Sequence, residues 1–356
     1  MLIILEGPDG VGKTTLAGKL HDVIRDADPR GTVISLRKGP PVSHPLDEYL
    51  TPLLNYKPGQ GVHYILDRWH IGEYVYPRLS GRSTQLDDTT WWYLNQFIRR
   101  LGGLLVMCHT NASDVAEIYE ARKTTHPFET TTAFLQAEKL FAEACDSAFL
   151  PQITYDWADR LNVSPENIVR TALVRESYVR HLSPFITYVG RQNPKYLLLG
   201  DIRHGLDRVD ELLKMPSDRD RRPAFMPYRG TSGHWLVSAL LTKPELQDVA
   251  LANARDVDDV HALWARLGLP KVATLGNFAH REFNKPHGRA PHPQFGRRFY
   301  HKHQESYAAA LLAALENQED HSKWRGSSTG GTARTSTARS STPSDALGVG
   351  RTLAAG

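Results

Sequence analysis

Residues 7 to 14 read Gly7-Pro8-Asp9-Gly10-Val11-Gly12-Lys13-Thr14, a full match to the phosphate-loop pattern G-x-x-x-x-G-K-[ST]. In such a loop the glycines turn backbone N–H groups inward around a phosphate, the lysine reaches the outer phosphate oxygens, and the threonine hydroxyl suits a Mg²⁺ ligand. The spacing points to a nucleoside triphosphate held by Gly7, Asp9, Gly10, Val11, Gly12, Lys13, Thr14 and the following Thr15. A second group, Asp67-Arg68-Trp69-His70, follows an apolar run. There a carboxylate can accept from a sugar hydroxyl while a guanidinium grips a phosphate through two oxygens, which is chemistry for a second, phosphate-bearing substrate.

The elements needed to position these residues are legible around them. Leu2 to Leu5 read as a buried strand, and Thr15, Leu16, Leu20 and Val23 fall at helical spacing, so strand, loop and helix come in the order the chemistry requires. Further strands are predicted at 32–36, 62–66, 104–108 and 152–155, with amphipathic stretches between them. Short buried strands alternating with helices predict a parallel sheet with helices on both faces. Ligands sit at the carboxyl ends of such strands, where the loop, Arg37, Asp67 and His109 all fall. A helix capped by Ser164, with Pro165 in its first turn, runs to about Arg180 and closes this unit. From Pro194 a second series begins: a strand at 196–199 ending in Gly200-Asp201, a helix at 235–241, a strand at 272–275 ending in Gly276, and a closing helix at 304–315. The expected fold is therefore α/β, with a P-loop parallel sheet over 1–180 and a second α/β unit over 181–318. The Ser/Thr/Gly/Ala-rich tail over 319–356 buries too little apolar surface to offset its ordering entropy and is expected to be disordered.

Composition bounds the reading. The 356 residues allow two units, and no apolar stretch approaches the roughly 18 residues that a membrane helix needs. The opening Met-Leu-Ile-Ile-Leu lacks a basic leader and runs straight into Glu6, so a cytoplasmic location without membrane contact is expected. Cys108 and Cys145 are the two cysteines, which excludes a disulfide framework or a cysteine-based metal site. A net charge of +4 permits contact with nucleic acid without demanding it. The charge is uneven, however. Arg219, Arg221, Arg222 and Arg229 form one basic group, and Arg289, Arg297, Arg298, His301, Lys302 and His303 form another; each reads equally as a phosphate-facing patch or as solvated surface.

The stretch Glu6 to Thr15, together with Asp67-Arg68, resembles the thymidylate kinase family of nucleoside monophosphate kinases, over residues 1 to about 175. The continuation Gly72-Glu73-Tyr74-Val75-Tyr76 is similar to divergent bacteriophage members. The resemblance implies ATP and Mg²⁺ as cofactors, with Lys13 catalytic and Thr14 and Asp67 on the metal. It also implies that Asp9 and Asp67 lie near the acceptor's sugar and that Arg68 meets the acceptor phosphate; by position, Arg37 after the second strand reads equally as a further phosphate contact or as surface charge, and Tyr93 or Gln96 reads as a contact to the acceptor base. The stripe Trp91, Trp92, Tyr93 reads equally as core. Some family members carry arginine directly after the loop aspartate; here that position is Gly10, so a lid arginine is expected instead and Arg122 is its candidate. The implied acceptor is a pyrimidine deoxynucleoside monophosphate, or alternatively the hydroxyl of a modified pyrimidine in DNA.

Four short signals in the second half, Leu199-Gly200-Asp201, Pro223-Ala224-Phe225 leading into Ser232-Gly233-His234, Leu275-Gly276-Asn277 and Pro291-His292-Pro293-Gln294, together resemble the uracil-DNA glycosylase superfamily over about residues 190 to 315. That resemblance implies Asp201 orienting water or stabilising a sugar cation, His292 stabilising the departing base, Phe225 stacking on a flipped base and Asn253 reading its edge. The segment Gly200 to Gly205 departs from the standard first motifs, so a retained fold serving only to bind DNA or a partner is the alternative. The expected partners are the nucleotide substrate, DNA through the second half, and a second copy of the chain as a homodimer.

Overall fold

Leu2–Glu6 (β1) alternates its side chains between two apolar layers, Ile3 and Leu5 to one side, Leu2 and Ile4 to the other. Only a strand buried on both faces needs such an unbroken apolar run. A computed structural model describes residues 1–37, 39–84, 86–111, 113–114, 117, 131–158, 160–182, 188–201, 223–299 and 303–318. Arg122, the basic residues Arg219, Arg221, Arg222, His301 and Lys302, and the tail 319–356 lie outside them.

β1 is central in a five-stranded, all-parallel sheet with Thr32–Leu36 (β2), His63–Asp67 (β3), Leu104–His109 (β4) and Gln152–Asp156 (β5), in the order β2-β3-β1-β4-β5. Lys13–Ala27 (α1) covers one face through Leu16, Leu20 and Ile24. The other face is covered by Pro45–Asn55 (α2), His70–Ser80 (α3), Asp88–Arg100 (α4) and Thr131–Ser147 (α5). Pro165–Leu182 (α6) packs beside α1, and Asn167 N–H donates to the Ser164 hydroxyl at 3.3 Å, so the predicted cap is present.

The second sheet is four-stranded and also parallel: Tyr196–Gly200 (β6), Val249–Asn253 (β7), Lys271–Thr274 (β8) and Gly288–Arg289 (β9), in the order β7-β6-β8-β9. Strands β7 and β9 were not anticipated. Val-Ala-Leu-Ala-Asn carries little strand preference of its own, and β7 exists because both its faces are buried beside β6. Ser232–Leu241 (α7), capped by the Thr231 hydroxyl, lies on one face with Gln304–Glu316 (α11); Val260–Arg266 (α8) and Asn277–Glu282 (α9) lie on the other, and Pro293–Phe299 (α10) contacts α7.

The two sheets share a layer. Helices α4 and α7 pack together, and Trp91, Trp92 and Tyr93 belong to the same apolar cluster as Ala224, Leu236 and Leu240. The Tyr93 hydroxyl donates to Ala224 O at 2.6 Å, Thr89 and Ser238 hydroxyls meet at 2.8 Å, and the Tyr228 hydroxyl donates to Asp47 at 2.8 Å. The aromatic stripe thus serves as core rather than as a base contact. No described helix is long and apolar enough to cross a membrane.

Candidate functional site

At the end of β1 the chain turns through Gly7 (φ 139°), Gly10 (91°) and Gly12 (80°), all in the region that favours glycine. Gly7 is required for space as well, because a Cβ there would overlap the Cys108 carbonyl of β4. Lys13 opens α1 with its side chain buried: Nζ donates to the carbonyls of Gly7 at 2.7 Å and Pro8 at 2.5 Å and lies 3.8 Å from Asp9 Oδ1. Burial pushes the pKa of this ammonium down, and the Asp9 carboxylate opposes the shift.

The Thr14 hydroxyl donates to Asp67 Oδ2 at 2.7 Å, joining the loop to the end of β3. Asp67 is fully buried, yet its Oδ1 has no hydrogen-bond partner among the described residues. A buried carboxylate oxygen left open beside a threonine hydroxyl is a hard-oxygen donor set that fits Mg²⁺, which takes one or two protein oxygens and completes its shell with water and phosphate. No cluster of three or more His, Cys, Asp or Glu side chains suited to a metal occurs among the described residues, so the arrangement is not a protein cage.

Arg68 follows at φ 63°, a left-handed conformation that costs a non-glycine residue about 1 kcal/mol or more. Its N–H donates to Leu5 O at 3.0 Å, and its guanidinium reaches back to Asp9 Oδ1 at 2.8 Å. Glu6, which sequence reasoning left without a role, accepts from the backbone N–H groups of Trp69 at 2.8 Å and Ile71 at 3.0 Å. It thereby satisfies donors at the start of α3 that no helical carbonyl can reach. Burial holds the Glu6 carboxyl above the usual range, and those two N–H groups and Lys13 pull it back.

A cavity of about 370 Å³ opens over the loop, lined by Gly10, Gly12, Lys13, Thr14, Thr15, Lys19, Arg68, Tyr155 and Trp157. Trp157 stands at the end of β5 against Gly12 and is 39% exposed. It was missed in the sequence, although the rule that ligands gather at carboxyl ends of parallel strands would have flagged it. His109 at the end of β4 lies 2.7 Å from Glu138 of α5, and Asp156 accepts from Ala158 N–H at 2.9 Å and Arg160 at 3.1 Å.

Two expected acceptor contacts are placed differently. Arg37 is ion-paired with Glu48 and sits over the rings of Tyr49 (4.6 Å) and Trp69 (5.4 Å), and it is not among the residues that line the loop cavity. Gln96 is buried on the α4 face it shares with Thr89 and Tyr93, which meet the second sheet's layer.

In the second half, Asp201 and His292 line one cavity of about 690 Å³ with Gly276, Asn277, Arg289 and Gln294. Asp201 follows β6 and accepts from Ala279 N–H at 2.8 Å, and its carboxylate lies over Gly276 so closely that any Cβ there would overlap it. His292 Nδ1 accepts from Gln294 N–H at 3.2 Å, which puts the proton of a neutral ring on Nε2. Phe225 (φ 53°) and Asn253 meet at Gly200 instead of in the cavity lining. The Asn253 amide is 2% exposed and donates to Asp256 at 2.8 Å, so its N–H₂ group is already engaged.

No family model matches the chain, and no curated protein matches it. Among solved structures it is similar to the YorR protein from Bacillus subtilis in complex with phosphorylated GDP, at 19% identity and a TM-score of 0.36 over 51% of this chain and 98% of that one. It is also similar to polyphosphate kinase 2 from Arthrobacter aurescens TC1 (18% identity, TM-score 0.35, 49% of this chain and 66% of that one). A third similarity is to deoxyadenosine kinase from M. mycoides with bound dATP (11%, 0.28, 49% and 96%). The geometry of its own sheet, loop and helix makes the first half a P-loop α/β fold.

Proposed function

We propose that the first half transfers the terminal phosphoryl group of ATP to a pyrimidine deoxynucleoside monophosphate, in the manner of a thymidylate kinase. The observation that carries the reading is the 2.7 Å contact from Thr14 to a buried Asp67 whose other oxygen is open, with Arg68 and Asp9 paired beside it. The loop N–H groups bind the inner phosphates, and Lys13 exchanges the Gly7 and Pro8 carbonyls for oxygens of the transferring group, stabilising charge as it develops there. Mg²⁺ held by Thr14 and Asp67 would supply further neutralisation of the outer phosphates. Arg68 grips the acceptor phosphate, and Trp157 offers a ring face to the donor base.

Incubating the protein with labelled MgATP and a panel of thymidylate, other deoxynucleotides and hydroxymethyluracil DNA tests this. Label on thymidylate is expected; label only in DNA moves the acceptor to a modified base, and no label on any acceptor removes the kinase. Arg68→Ala is expected to raise the acceptor KM by ~10–100-fold, the loss of a charge-assisted contact, while the KM for ATP changes little. Equal changes in both would show that Arg68 serves the loop instead.

We infer for the second half a nucleobase site of the uracil-DNA glycosylase kind, on the observation that Asp201 and His292 line one cavity. The histidine Nε2–H is suited to an oxyanion on a leaving base, and Asp201 to a developing sugar cation. Release of uracil or hydroxymethyluracil from DNA that disappears in Asp201→Asn and His292→Ala is expected. DNA binding that survives both substitutions, with no base released, would leave a tethering module.

A further inference from the structure

Four arginines gather where the two sheets meet, on the side where the strands begin. Arg99 and Arg100 form the last turn of α4 before Gly102, and the carbonyl of Arg175 on α6 would lie 3.2 Å from a Cβ at Gly102. Arg191 is fixed from the other half. Val189 and Leu251 exchange backbone hydrogen bonds of 2.9 and 2.7 Å, and Gly190 (φ 131°) lies flat on β7, with no room for a Cβ. That bridge delivers Arg191 to within 3.5 Å of Asp248, just ahead of β7.

The charges do not balance. Arg99 has Arg175 and Arg191 as neighbouring cations and Asp248 as its neighbouring carboxylate, while Arg100 packs over the Tyr188 ring at 4.7 Å. Arg175 has no ion-pair partner among the described residues, and burial pushes its pKa down. Buried N–H groups without a hydrogen-bond partner occur on each of the three: Arg99 Nη1, Arg175 Nε and Arg191 Nε. Lys195 stands nearby but is drawn to Glu316 at 3.9 Å. Arg99 and Arg175 are half-buried and Arg191 is partly exposed; leaving such groups unsatisfied is costly, and three neighbouring cations against one carboxylate favour an anion.

We propose that Arg99, Arg175 and Arg191 form a binding site for a small, multiply charged phosphate anion such as pyrophosphate, separate from both cavities. Guanidinium forks match phosphate oxygens two at a time, and three of them outnumber the charge of Asp248. The phosphate loop and Asp201 lie at the carboxyl ends of their strands, whereas this cluster lies at the amino ends. An anion there ties α4 and α6 to the segment entering the second sheet, so it acts on the seam and not on the reacting groups.

Calorimetric titration of the full chain with pyrophosphate tests the site. The phosphate loop itself takes this anion, so the decisive background is Lys13→Ala. That variant is expected to keep one saturable pyrophosphate site, weakened at least ~10-fold when Arg191→Gln is added and lost with Arg99→Gln, as expected for removed charge-assisted contacts. Absence of binding in Lys13→Ala, or unchanged affinity in both arginine variants, would overturn the proposal. Circular dichroism checks each variant, and if Arg99→Gln fails to fold, the partly exposed Arg191 carries the decision alone. A duplex oligonucleotide that displaces pyrophosphate in an Arg191-dependent way would assign the cluster to a polynucleotide backbone and overturn the small-anion assignment.

Discussion

Lys13→Ala is expected to cut phosphoryl transfer by at least ~10²–10³-fold, the scale seen when one preorganised donor to developing charge is removed. The far-ultraviolet circular dichroism should stay unchanged. The reason is local: the Lys13 ammonium is held by two loop carbonyls and Asp9, and no strand or helix depends on it. Loss of the ammonium also removes a cation that pulls the Glu6 carboxyl down, so that carboxyl should rise further. Single-turnover transfer at saturating ATP separates this loss of chemistry from weaker nucleotide binding, and a turnover equal to wild type would remove the phosphate-loop mechanism.

Glu176→Gln is expected to lower stability by about 3 kcal/mol at neutral pH, the cost of breaking a buried pair and stranding its partner. Glu176 on α6 is 1% exposed and receives both terminal nitrogens of Arg30 (3.2 and 2.8 Å), the Gly59 N–H at 2.9 Å, the Tyr56 hydroxyl at 3.2 Å and the Met1 nitrogen at 2.6 Å. Burial works against the charged form, but the Arg30 fork and the other donors outweigh it and hold the carboxyl down at about 2, against 4.5 in an unfolded chain. A depressed carboxyl stabilises the fold above its unfolded value, and that stabilisation is lost as pH falls from about 4.5 towards 2. Melting curves of wild type and Glu176→Gln should therefore converge as pH falls through that window. Curves that stay parallel across it would show that the carboxylate does not supply the stabilisation.

What the sequence made legible follows from how local each determinant is. The strand, loop and first helix could be read because glycine conformations, a buried run and helical spacing lie within about 25 consecutive residues. The positions of Asp67 and Asp201 could be read because each follows an apolar run and therefore ends a strand. Arg30 and Glu176 could not be joined by any such reading, since 146 residues separate them. The left-handed turn at Arg68 left no trace in residue type either, because surrounding contacts impose it on a residue that does not favour it. The layer that Gln96 faces was hidden for a related reason. Every residue of α4 from Thr89 to Ile98 is buried, and periodicity alone does not say which layer each side chain enters.

The apolar sheet of side chains around α4 and α7 belongs to both halves at once, which has an energetic consequence. Neither half can come apart without wetting the other's hydrophobic floor, so heat should melt them in a single transition. Any molecule that clings to the folded loop at one end then protects the far end by mass action. The fluorescence of Trp235 and Trp264, remote from that loop, becomes a reporter of what it holds.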